Sequence, residues 1–252
     1  MQKGVRLMKQ RLLARLLEEK EMKLKGGLYH RTQIKLAYNS NRIEGSHLSE
    51  EQTRYIYETN TITMEPNEAA SVDDIIETVN HFFCFDYMLA NVDGELSEGM
   101  LKEFHRLLKG RTSDERKEWF RVGDYKTRPN MVGDMETTAP SEVGKLLSDY
   151  HDKEKVTIED IVDFHHRFES IHPFQDGNGR VGRIIMFKEC LKHDIMPLII
   201  DHEHKVFYYR GLKEYKREKG YLRDTCLSAQ DQYAAMAAYF YPDIIQPGQD
   251  IN

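Results

Sequence analysis

A chain of 252 residues with 36 Lys and Arg against 42 Asp and Glu, formal net charge −6, is long enough for one large helical domain with a substantial core. Its charge gives no global field that would draw it to nucleic acid. Cys84, Cys190 and Cys226 are an odd, widely spaced set without a Cys-x-x-Cys pair, which excludes zinc ribbons and predicts reduced thiols in a cytoplasmic setting. The densely charged residues 1–25 do not read as a signal peptide, and no apolar run approaches the roughly 18 residues that span a bilayer, so no membrane partner is expected.

Helical periodicity runs through the chain. Leu7, Leu12, Leu13, Leu16 and Leu17 form an apolar stripe in a charged first segment, predicting a helical extension over 1–27 that ends at Gly26-Gly27. A helix is predicted over 29–44, with Gly45 suited to the C′ position. Ser40 and Glu44, four apart, share one face of it. A carboxylate at a helix C-terminus is disfavoured by roughly a few tenths of a kcal/mol, so Glu44 calls for a cationic partner. Further helices are predicted over 50–60, 73–91, 97–108, 141–150, 157–171, 178–193, 205–219 and 222–239, with Ser97, Ser141 and Thr157 as N-caps. Residues 119–140 lose the helical period. There Gly133-Asp134, between Met131-Val132 and Met135-Glu136, fits the turn of a small hairpin. The main domain is predicted to cover 28–241, and 242–252, with two prolines and a glycine, to form a flexible tail.

Residues 172–180 read His172-Pro173-Phe174-Gln175-Asp176-Gly177-Asn178-Gly179-Arg180. Two glycines let consecutive backbone N–H groups converge, and the apolar helix that follows would aim its N-terminus at the same point, where anions bind. Asp176 beside an anion site would be repelled by bare phosphate, which suggests a bridging divalent cation such as Mg²⁺. Arg180 and Arg183 add forked positive charge. Singly, these are an ordinary turn, a surface histidine and a solvated helix face; their concurrence argues for a site.

This run matches the Fic family signature His-Pro-Phe-x-Asp/Glu-Gly-Asn-Gly-Arg at every defined position, and the chain from about 28 to 233 resembles that family. The resemblance implies a mainly α fold, a Fic-type helical bundle with a small β-hairpin flap over about 126–138, and transfer of AMP from ATP to Ser, Thr or Tyr hydroxyls of a protein substrate. Such chemistry needs a base, which His172 can supply. It also needs Asp176 to hold Mg²⁺, and Gly177, Asn178, Gly179, Arg180 and Arg183 to bind the phosphates. Residues 40–45, Ser-Asn-Arg-Ile-Glu-Gly, resemble the family's inhibitory pattern Ser/Thr-x-x-x-Glu-Gly/Asn, which implies that Glu44, supported by Ser40, pairs with Arg183 and brakes the enzyme. The flap implies a docking edge at Met131 and Val132. Two other readings stay open: an enzyme that removes AMP, does both, or uses another nucleotide; and a non-catalytic ATP-sensing or protein-binding module. Nucleic acid is not an expected partner, and a homo-oligomer is left open.

Overall fold

The computed structural model describes residues 2–132 and 135–244, with side chains over 12–130 and 137–243. Among the described residues ten α-helices follow one another: α1 Gln2–Met22, α2 Leu28–Ile43, α3 Glu50–Thr59, α4 Val72–Ala90, α5 Glu98–Lys109, α6 Glu142–His151, α7 Ile158–Ile171, α8 Asn178–Lys192, α9 Lys205–Glu214 and α10 Gly220–Phe240. No helix among the described residues is long and apolar enough to cross a membrane.

The bundle is built around α8. Its residues from Asn178 to Leu191 are all buried, Val181, Ile184, Ile185 and Phe187 among them, as befits a helix without a solvent face. It packs against α7 across the 172–177 turn and is flanked by α1, α2, α4 and α5. Phe85 and Tyr233 meet Phe187 edge-on. Leu12 and Leu16 of α1 enter the same core, so the N-terminal extension docks on the chain that carries it.

Local chemistry explains most of the boundaries. Thr157 and Asp160 form a capping box at α7, and the Ser97 hydroxyl accepts from the Met100 N–H at 3.2 Å. Ser141 does not cap α6. Its own backbone is helical, and the first free amides are taken by the Ala139 and Pro140 carbonyls instead. A box between Ser49 and Gln52 starts α3. The helix predicted over 205–219 stops at Glu214, and α10 begins at Gly220. At the end of α2, Gly45 has φ +101°, its N–H donates to the Arg42 carbonyl and that of Ser46 to the Asn41 carbonyl, the paired bonds of a Schellman stop.

Extended structure among the described residues is one antiparallel pair, β1 Met131–Val132 with β2 Met135–Glu136, in which Met131 faces Glu136 and Val132 faces Met135. Two residues a strand fall well below the usual five or so. This pairing does not amount to the hairpin flap expected from the sequence. Gly133, Asp134 and the side chains of Met131 and Val132 lie outside the described residues.

Candidate functional site

The turn between α7 and α8 is held by its own side chains and by the loop before the two short strands. His172 caps α7 with φ +50° and ψ +59°, a left-handed conformation that costs a non-glycine residue on the order of 1 kcal/mol or more. The surroundings enforce it. Lys126 donates its N–H to the Pro173 carbonyl at 2.8 Å and its ammonium to the Ile171 carbonyl at 3.0 Å, while the Asn130 amide donates to the Phe174 carbonyl at 3.0 Å. Phe174 is fully buried and stacks on His105 with centroids 4.1 Å apart; Nδ1 of His105 accepts from the Gly123 N–H at 2.9 Å.

Asn178 takes a different role from the one expected. Its Oδ1 accepts from the Phe174 N–H at 2.8 Å and its Nδ2 donates to the Phe174 carbonyl at 2.9 Å, with the residue 1% exposed. Both ends of the amide are engaged by the turn backbone, so Asn178 shapes the turn. Gly177, at φ +82°, precedes the helix. The amides of the first turn of α8 then have no carbonyl within the helix to accept them. At Gly179 a Cβ would run into the Glu44 carboxylate.

Nδ1 of His172 lies 3.2 Å from the Glu169 carbonyl. A carbonyl only accepts, so Nδ1 carries the hydrogen and Nε2 is left with its lone pair. Burial, seconded by nearby Lys126, lowers the imidazole pKa despite that hydrogen bond. The ring is therefore neutral near pH 7 and able to take a proton. Three residues earlier, Glu169 is largely buried with Oε2 3.8 Å from His172 Nδ1, and its Oε1 has no hydrogen-bond partner among the described residues. Burial, then the charge of Glu44, pushes this carboxyl up to about 8 against the pull of Arg183.

Two arginines from α8 lie beneath the turn, 4% and 3% exposed. Arg183 is tied to α2: Nε donates to the Ser40 hydroxyl at 3.0 Å, and NH2 to the Ser40 carbonyl at 2.9 Å and Glu44 Oε1 at 2.7 Å. Its NH1 lies 3.4 Å from the Tyr208 hydroxyl. Arg180 bonds Glu77 of α4 and, at 3.1 Å, Oδ2 of Asp176. Lys109, at the end of α5, reaches the same carboxylate at 2.6 Å, together with Glu77 and, at 2.7 Å, Asp114.

Burial alone would raise the Asp176 pKa, but Arg180 and Lys109 outweigh it and hold the carboxyl far below the usual range. Both ion pairs use Oδ2, and the side chain is half exposed. An ionised, accessible oxygen of this kind fits a hard divalent cation that keeps its remaining positions for phosphate and water. Glu77, Asp114 and Asp176 bring their carboxylate oxygens within 4.8 Å of one another.

The structure thus gathers His172, Asp176, Gly177, Gly179, Arg180 and Arg183 at the start of α8, with Ser40 and Glu44 against Arg183. Sequence reading missed Glu77, Lys109, Asp114 and Glu169. The first three come from separate elements, and no local spacing links them to the turn. Glu169 stands one helical turn before His172, but a glutamate on an amphipathic helix is ordinarily a solvated residue.

Residues 95–190 match the Fic/DOC family model. Among curated proteins, the chain is 27% identical over 189 residues to protein adenylyltransferase Fic of Nematostella vectensis, covering 70% of this chain and 42% of that protein. It is 28% identical over 187 residues to protein adenylyltransferase fic-1 of Caenorhabditis elegans, covering 69% and 35%. The chain therefore spans less than half the length of these relatives. Among solved structures, a Fic domain containing signaling protein from Bacteroides thetaiotaomicron superposes with TM-score 0.67 at 22% identity, over 96% of this chain and 92% of that one. Residues 134–508 of C. elegans Fic-1 superpose with TM-score 0.66 at 20% identity, over 94% and 74%. At these identities the structures speak to the fold alone.

Proposed function

From the Fic/DOC family domain that this chain carries, we propose that it is a protein adenylyltransferase that moves AMP from ATP to a Ser, Thr or Tyr hydroxyl and is held at rest by Glu44. One observation carries the proposal: a neutral His172 with a free Nε2 stands at the N-terminus of α8 beside an ionised Asp176.

The substrate hydroxyl would lose its proton to His172 Nε2 as its oxygen bonds to the α-phosphorus, and the bond from that phosphorus to the bridging oxygen would break, releasing pyrophosphate. The first-turn amides of α8 face the charge that develops on the α-phosphate. Asp176 would hold Mg²⁺, which would supply positive charge against that of the phosphates. Arg183 would orient the terminal phosphate.

The resting state follows from the same contacts. Glu44 holds Arg183 at 2.7 Å and overlies Gly179, so a carboxylate stands where a multiply charged phosphate would need to settle. Like charges cannot share that guanidinium without strong repulsion. ATP would then bind with its α-phosphate out of line.

A second reading has one observation in its favour. The Glu44 carboxylate is close enough to act on His172 electrostatically and is partly exposed, a placement from which it could orient water to remove AMP. For target docking we propose the strand edge at Met131 and Val132, on a loop tied to the catalytic turn through Lys126 and Asn130; an extended peptide could pair there through its main chain. Val132→Pro should then lower transfer to protein targets without altering ATP binding. The cysteines, free and buried, are the ground for proposing a cytoplasmic setting.

The deciding experiment compares wild type, Glu44→Gly and Glu44→Gly/His172→Ala with Mg²⁺ and α-labelled ATP, reading label on the protein and in a lysate. Label from the single variant alone is the expected result. Labelling by the double variant would remove His172 as the base. No labelling by any form, with ATP bound, would turn the reading to AMP removal or a binding module.

A further inference from the structure

Lys109 is 2% exposed at the last position of α5, and a lysine so buried needs anionic partners. It has three. Its ammonium bonds Glu77 from α4, Asp114 from the 3₁₀ turn Ser113–Arg116 at 2.7 Å, and Asp176 of the catalytic turn at 2.6 Å. Those carboxylate oxygens lie within 4.8 Å of one another, a spacing that oxygens around one divalent cation also adopt. Here an ammonium stands among them. Asp114 also pairs with Lys117, and Glu77 with Arg180, so the whole network leans on Asp176 from behind.

We infer that Lys109 is a positioning residue for Asp176: its ammonium serves as the resident cation of the Glu77, Asp114 and Asp176 cluster and makes divalent-cation binding at Asp176 conditional on nucleotide phosphates. Three carboxylates against Lys109 and Arg180 leave a net charge of only −1, and Lys117, paired with Asp114, brings the network to neutrality. A divalent ion arriving alone would meet two fixed cations and would have to displace an ammonium held by three acids. Arriving with nucleotide, it takes further oxygens and negative charge from the phosphates and needs only the exposed half of Asp176. Glu77 and Asp114, which touch no reacting atom in the proposed mechanism, then have a function: they hold Lys109 behind Asp176. The nucleotide half of this inference rests on the transferase reading; the suppression of nucleotide-free cation binding by Lys109 does not.

The test is Mn²⁺ binding, read from the free-ion electron paramagnetic resonance signal, in a Glu44→Gly parent and with Lys109→Met or Lys109→Arg added. Each is titrated without nucleotide and with an ATP analogue whose α,β-bridge is methylene. Without nucleotide, the parent and Lys109→Arg should leave Mn²⁺ free, whereas Lys109→Met should bind one Mn²⁺ at least about tenfold more tightly. With the analogue, the parent should bind one Mn²⁺. A parent that binds Mn²⁺ equally well with and without nucleotide overturns the inference, as does a Lys109→Met protein that binds no better than the parent. The α5 end should survive the substitution, because Thr112 donates its hydroxyl to the Lys109 carbonyl at 2.7 Å. If Lys109→Met nevertheless fails to fold, the parent with and without nucleotide still decides. Dialysis with labelled ATP runs alongside: a parent that binds no nucleotide defeats the transferase reading, while the nucleotide-free comparison continues to judge Lys109.

Discussion

Glu169 and His172 sit one turn apart on α7, and each is pushed by its surroundings towards its neutral form. For Glu169 this has a consequence for stability. The folded protein keeps the carboxyl protonated up to about pH 8, while the unfolded chain releases that proton in the ordinary carboxylate range. The folded state therefore binds more protons between those limits, and stability falls as pH rises through the window, by at most about 1.4 kcal/mol per unit. Glu169→Gln keeps the shape and abolishes the titration. Denaturant melts at successive pH values should show the variant gaining on wild type from the ordinary carboxylate range up to about pH 8 and holding a constant difference above it; a gap independent of pH would remove Glu169 as a buried neutral acid. Asn178 offers a second check at this scale. Asn178→Ala leaves the Phe174 N–H without its partner and the Phe174 carbonyl with the Asn130 amide alone, and should cost about 1–3 kcal/mol for the stranded N–H, with labelling activity lost even in the Glu44→Gly background. The residues of the turn itself were legible because His172 to Arg180 are contiguous. Lys109 was not, since its partners are 32, 5 and 67 positions away in sequence.

Helix α2 carries both Ser40 and Glu44, and its start is controlled by α1. No side chain caps it locally; the Glu19 carboxylate of α1 accepts the Tyr29 N–H at 2.7 Å and the Tyr241 hydroxyl at 2.5 Å. A negative group suits a helix N-terminus, and Gly27 leaves room for it, since a Cβ there would collide with Glu19. Glu19→Ala strands the buried Tyr29 N–H, frees the part-buried Tyr241 hydroxyl, and should lower stability by about 1–3 kcal/mol. Because the loosened helix is the one that presents Glu44, basal AMP labelling should rise at the same time. Denaturant unfolding and a labelling time course measure the two effects; lowered stability with unchanged labelling would show that α2 holds Glu44 without help from its N-terminus. Helix existence was readable from periodicity, and Gly45 announced the end of α2. The cap from Glu19 was invisible, because it acts between helices that the sequence treats as separate segments.

Across the molecule, Glu44 and the nucleotide would, in the proposed mechanism, compete for the one guanidinium of Arg183, which would couple the brake to ligand binding. A ligand that binds only the folded state at 100 times its Kd stabilises it by roughly 2.7 kcal/mol. ATP with Mg²⁺ should therefore raise the melting temperature of Glu44→Gly more than that of wild type, and adding His172→Ala should leave the larger shift intact, because in the proposed mechanism the imidazole meets the substrate hydroxyl rather than the phosphates. Equal shifts in wild type and Glu44→Gly would uncouple Glu44 from nucleotide binding. What the sequence by itself determined is the helical class, the order of the helices and the gathering of His172, Asp176 and Arg180 at one turn: each follows from short-range periodicity or from contiguous residues whose backbone needs are local. Tertiary structure alone decided that Asn178 is spent on the turn and that Lys109, Glu77 and Asp114 stand behind Asp176, while the Glu44–Arg183 contact that the family resemblance implied is made by packing α2 against α8. Those contacts join α2, α4, α5 and α8 across large separations, and only the packing of buried helix faces around α8 sets which charged side chains share the low-dielectric space where their pairing matters.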